Sequence, residues 1–129
     1  MLIAWEYDFN KWKERFIEYL EINGIKPSTA KDYGRRIEKI LEEVGRSYSV
    51  NAADIKGKKR TQNIAEARKM SMYIVRQVCE MSMEDIGKEF GGRDHSTVVY
   101  TIKEVEKKME KDSFYRSNIE DIIKNVKSL

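Results

Sequence analysis

The chain has little of what would staple, anchor or interrupt it. One cysteine, Cys79, and one histidine, His95, stand among 129 residues, which excludes an internal disulfide and a Cys/His zinc cluster. A single proline and seven glycines leave few breaks in the chain. The longest unbroken apolar run, Met1 to Trp5, falls far short of the roughly 20 residues that a bilayer span requires. No basic residue precedes that run and no small-residue cleavage site follows it, so it does not read as a secretory signal. No GxxxxGK[ST] loop occurs, and with it goes the local backbone cradle for a nucleoside triphosphate. These absences lead to the expectation of a small soluble, cytoplasmic, non-enzymatic protein without metal, cofactor or membrane contact.

Charge is plentiful but unevenly placed. Charged residues make up 36% of the chain, and 25 basic against 22 acidic side chains leave a formal net charge of only +3. Residues 1–44 carry 8 Lys/Arg against 9 Asp/Glu, whereas residues 45–129 carry 17 against 13. The excess concentrates in Lys56–Arg76, where Lys56, Lys58, Lys59, Arg60, Arg68, Lys69 and Arg76 face Glu66 alone. A local cluster of this density fits a phosphate-binding footprint, and equally a solvated basic run.

Apolar residues recur at the helical period and nowhere alternate long enough for a sheet, so the expected fold class is all-α, with about six helices. Phe9, Trp12, Phe16 and Leu20 form a first stripe that stops at Asn23-Gly24. Tyr33, Ile37, Ile40, Leu41 and Val44 line a second, expected to close near Gly45 and to form a hairpin with the first. Ala52 to Ile55 makes one helical turn, and Lys56 to Arg60 reads as an exposed loop. Met70, Ile74, Val78 and Met81 mark a third long helix from near Asn63 to near Glu80. Ser82 with Asp85 resembles a capping box for a short helix from Met83 to Phe90. Gly91-Gly92 permits a sharp turn, and Asp94, Ser96 and Thr97 offer caps for a long helix carrying Val98, Ile102, Val105 and Met109. Asp112 caps a last helix carrying Phe114, Ile119, Ile122, Ile123 and Val126.

A short helix, a glycine turn and a longer helix have the proportions of a helix-turn-helix unit, whose second helix offers its first residues to the major groove. Those residues are Asp94, His95, Ser96 and Thr97, short and polar, with a Thr97 methyl suited to a thymine methyl. An acid–base pair at Asp94-His95 is excluded as an enzyme site, because neighbours on a helix point about 100° apart.

The run FGGRDHSTV (90–98) resembles the signature of the C-terminal DNA-binding domain, or domain IV, of the bacterial chromosomal replication initiator DnaA. The likeness extends through YSVNAADIKGKKR (48–60), AEARKMSM (65–72) and SMEDIG (82–87), and fades before about Ile37 and after about Met109. It implies a domain IV-like, Trp-repressor-like helical bundle at 37–129, preceded by an N-terminal helical extension at 1–36. It also implies that Arg60 enters a minor groove, that Arg68 and Arg76 contact phosphates or bases, that Arg93 approaches the backbone, and that Asp94, His95, Ser96 and Thr97 read a DnaA-box-like duplex. Lys58, Lys59 and Lys69 complete the expected DNA-binding set.

The departures are local: Ser96 replaces a threonine, Glu66-Ala67 an Arg-Pro, Met83-Glu84 a Leu-Pro, and Tyr100 a histidine. The ATPase that the initiator family places ahead of this domain has no counterpart in the roughly 36 residues before the likeness begins. The expectation is a nucleoid-associated regulator or accessory factor of replication or transcription that binds double-stranded DNA without hydrolysing ATP. The alternative is an adaptor whose helix-turn-helix no longer reads a site. Trp5, Phe9, Trp12, Phe16 and Tyr19 form an aromatic stripe that a hairpin cannot bury alone, which leaves docking onto the domain, self-association or a protein partner open.

Overall fold

A computed structural model of the protein describes residues 27–79 and 81–127, with side chains from residue 34 onward. The described residues form six helices: α1 (Pro27–Tyr48), α2 (Ala52–Lys56), α3 (Gln62–Cys79), α4 (Met83–Glu89), α5 (His95–Lys111) and α6 (Ser113–Lys127). No strand occurs among them, and none of these helices is long and apolar enough to cross a membrane. The aromatic stripe of residues 5–20, the hairpin it was expected to build and the side chain of Tyr33 lie outside the described residues.

Helix α3 is the hub. The expected stripe of Met70, Ile74 and Val78 is buried together with Ala67 on the same face, and so are Met72, Val75 and Cys79 on the adjoining one. A buried arc that takes more than half of a helix's circumference needs cover from several sides. Each of the other five helices packs against it. Ile37, Ile40, Leu41 and Val44 of α1 and Val98, Ile102 and Val105 of α5 supply the facing surfaces, as their spacing predicts.

Two elements depart from expectation. Gly45 does not end α1, which continues to Tyr48; the left-handed residue is Ser49, at φ 57°, and the Val50 N–H donates back to the Gly45 carbonyl at 3.0 Å. That is the bonding of a Schellman stop. Gly45 is there for space, since a Cβ on it would lie 2.5 Å from the Val50 carbonyl oxygen. In α6, Phe114 is 85% exposed and Tyr115 takes the buried place. Asp112 accepts from the Tyr115 N–H at 3.0 Å, and Tyr115, Ile119, Ile122 and Val126 then follow at spacings of four, three and four. Phe114 stands about 100° off that face.

Candidate nucleic-acid interface

Helix α4 starts where Ser82 Oγ accepts from the Asp85 N–H at 3.1 Å and ends at Phe90, fully buried. Gly91 and Gly92 then take φ 82° and 73°, values costly for side chains with a Cβ. The turn closes tightly on α4, with the Arg93 N–H donating to the Gly87 carbonyl at 2.8 Å, so that a methyl on Gly87 would collide with the Arg93 carbonyl. Asp94 caps α5 by accepting from the Thr97 N–H at 2.8 Å. That bond holds the Asp94 carboxyl below the usual carboxylate range. Val98 is the first buried residue of α5, while Asp94, His95, Ser96 and Thr97 are exposed. One turn beyond Ser96, Tyr100 stands 66% exposed on the same helix.

The basic loop lies against this turn. Lys58, Lys59 and Arg60 are exposed, and Lys59 Nζ pairs with Asp54 Oδ1 at 3.2 Å. Lys56, expected in the exposed loop, is instead 4% exposed. Its ammonium reaches Glu89 Oε2 at the end of α4 at 3.0 Å and sits 5.7 Å from the Phe90 ring centre. Burial pulls its pKa down to about 7 against the opposing pull of Glu89. The buried pair thus ties the base of the loop to the first helix of the helix-turn-helix.

The remaining cations divide by where their donors go. Arg68, expected to reach a phosphate, is 5% exposed. Its Nε donates to the Ile55 carbonyl at 2.9 Å, and its Nη2 to the carbonyls of Asp54 at 3.0 Å and Lys59 at 2.9 Å. Burial first, then the neighbouring Arg93 and Arg60, lowers its pKa to about 10. Arg93 is lowered by burial and by Arg60, and its guanidinium donates to the Phe90 carbonyl. Arg60, Arg68 and Arg93 therefore form one cationic cluster between loop and turn. Arg76 donates to the Met81 carbonyl and bridges α3 to the linker before α4.

Lys69 is partly neutralised, lying 3.9 Å from Glu66 Oε1 and 3.5 Å from Glu104 Oε2. Glu66 also takes Lys108 at 3.5 Å. The anchoring role of Arg68, the Lys56–Glu89 pair and the capture of two lysines by Glu66 were missed in the sequence. Only Glu66 left a signal there, as the one acid within the basic cluster.

A family model described as the bacterial dnaA protein helix-turn-helix matches residues 37–105. The chromosomal replication initiator protein DnaA of Thermodesulfovibrio yellowstonii is 46% identical over 90 residues, covering 70% of this chain and 20% of that protein. DnaA of Streptococcus thermophilus strain LMD-9 is 47% identical over 89 residues, 69% of this chain and 19% of that protein. A crystal structure of a DNA replication initiation factor superposes with TM-score 0.67 at 28% identity, covering 88% of this chain and 35% of the other. The chain thus spans about a fifth of the length of the curated relatives it matches.

Proposed function

The chain belongs to the bacterial DnaA helix-turn-helix family, and from that premise we propose that it binds double-stranded DNA sequence-specifically at a DnaA-box-like site. The carrying observation is that the exposed start of α5 and the exposed basic loop are clamped side by side through Lys56–Glu89. Duplex recognition needs both a reading element and phosphate neutralisation. His95, Ser96 and Thr97 face base edges in the major groove, with Asp94 shaping the helix end. Arg60 enters the adjacent minor groove, while Lys58, Lys59 and Arg93 meet phosphates. Lys69 and Arg76 flank this surface.

In this reading the chain's part is DNA binding without ATP hydrolysis, as a nucleoid-associated accessory or regulatory factor of replication or transcription. Selection of duplexes from a random pool tests the proposal. A recovered motif related to the DnaA box is expected, and binding indifferent to sequence in competition overturns it in favour of an adaptor role.

A further inference from the structure

We infer that Arg68 serves DNA binding as a positioning residue, whose guanidinium holds the basic loop in the course that presents Arg60. The inference rests on the DNA-binding reading above and replaces, for this one residue, the direct phosphate contact that the family likeness implies.

The three carbonyls that Arg68 engages lie on both sides of the loop: Asp54 and Ile55 within α2, and Lys59 immediately before Arg60. Helix α2 is a single short helix of five residues, and the loop after it has no regular structure of its own. A loop without a ladder of backbone bonds takes its shape from whatever satisfies its polar groups. Arg68 supplies that from the buried face of α3, with Nε and Nη2 both committed to backbone oxygen. Its planar fork can span carbonyls on two strands of chain at once, which the single ammonium of a lysine cannot.

The arrangement also works against charge. Arg60 and Arg93 are near enough to Arg68 to depress its basicity, so like charges push the loop away from the turn while the three bonds hold it. A loop released from Arg68 would swing Arg60 away from the start of α5. The phosphate-contact role predicts differently, because a charge at this position would then suffice.

The full chain carrying Arg68→Lys, Arg60→Ala or both is measured by fluorescence anisotropy on a duplex selected by the wild type and on a scrambled duplex. Thermal unfolding establishes that each variant is folded. Where Arg68→Lys does not fold, Arg68→Gln takes its place with the same expectation. Arg68→Lys and Arg60→Ala are each expected to lose about tenfold on the selected duplex, the scale of one lost base-reading contact. The double variant is expected to lose no more than either single one, because both remove the same contact.

Losses that multiply, or an Arg68→Lys variant that binds like the wild type, overturn the inference. A second arm needs no DNA. Amide hydrogen exchange at Ile55 and Gly57, whose N–H groups donate to the Asn51 and Asp54 carbonyls at the base of the loop, should speed up at least about tenfold in Arg68→Lys while the α3 core stays protected. Unchanged exchange there overturns the anchoring. A wild type that selects no duplex defeats the DNA-binding reading instead, and the exchange arm still decides whether Arg68 holds the loop.

Discussion

At the scale of single residues, the start of α5 separates two duties that often fall on one side chain. Asp94 holds the helix end by accepting from Thr97, and Val98 begins the buried face, so His95, Ser96 and Thr97 are left to project outward. Thr97 gives its backbone N–H to the cap, and its hydroxyl also hydrogen-bonds the Asp94 carboxyl while the side chain stays exposed. Thr97→Ala removes that hydroxyl contact at an exposed helix end and should lower stability by no more than about 1 kcal/mol. It should cost about 1–3 kcal/mol of discrimination at one base pair, leaving the others intact. Binding measured across single-base variants of the selected duplex checks this, and a uniform loss over all positions would contradict it. Ser96 invites the converse change. Ser96→Thr restores a methyl at the same exposed position and is expected to sharpen preference at one thymine-bearing position, read in the same panel.

At the scale of elements, ionic contacts decide how the helices are held and how much positive charge is left to face DNA. Lys56 joins α2 to α4 as a buried pair with Glu89, its pKa near 7 in place of the usual 10.5. Between those values the unfolded chain binds a proton that the folded chain does not, so this group makes stability rise with pH from about 7 towards 10. Tyr48, Tyr73 and Tyr115 act in the opposite sense above pH 10, because burial raises their phenols and the unfolded chain releases its protons first. Urea midpoints should therefore climb from pH 7 to about 9.5, and Lys56→Met should flatten the climb. A wild-type profile that is flat or falling over this window would refute the assignment.

Glu66 gives a second test, on α3. Glu66→Gln removes a partly exposed acid paired with Lys69 and Lys108, so stability should change by no more than about 1 kcal/mol. Duplex affinity should rise as one negative charge leaves the edge of the basic cluster, with Lys69 still held by Glu104, and titration of a selected duplex by anisotropy checks it.

These contacts also mark where legibility in the sequence ends. The stripes of α1 and α5, the Ser82 cap and the two glycines of the turn follow from spacing and local chemistry within a few residues. Ser49 takes the left-handed place at the end of α1, and Gly45 instead makes room one turn earlier for the chain that folds back at Val50. Phe114 and Tyr115 are apolar neighbours, and the spacing of four from Tyr115 to Ile119 is what turns Tyr115 inward and leaves Phe114 exposed. Lys56 and Arg68 look like surface cations in any window of sequence. Their partners lie 33 residues away for Lys56 and 9 to 14 away for Arg68, and a basic run carries no trace of them.

At the scale of the whole molecule, the small net charge conceals a divided surface. Lys56 and Arg68 are buried, Arg76 donates inward, and Lys69 is held by two carboxylates. Of the basic cluster and the turn, Lys58, Lys59, Arg60 and Arg93 remain to neutralise phosphate, Lys59 although it also pairs with the single carboxylate of Asp54 and Arg93 although one of its donors goes to the Phe90 carbonyl. This count is smaller than the basic residues of the sequence suggest, and it can be measured. Each phosphate neutralised on B-DNA contributes about −0.9 to the slope of log affinity against log salt. Four contacts give a slope near −3.6, or roughly a hundredfold loss between 50 and 200 mM salt. If the buried and paired cations also met phosphates, the slope would approach twice that value, on the order of −7. Anisotropy titrations at several salt concentrations distinguish the two. A slope near the steeper value would mean that Lys56, Arg68, Lys69 and Arg76 leave their intramolecular partners on binding. A slope near the shallower one means that the chain meets DNA with the charge distribution it already has when free.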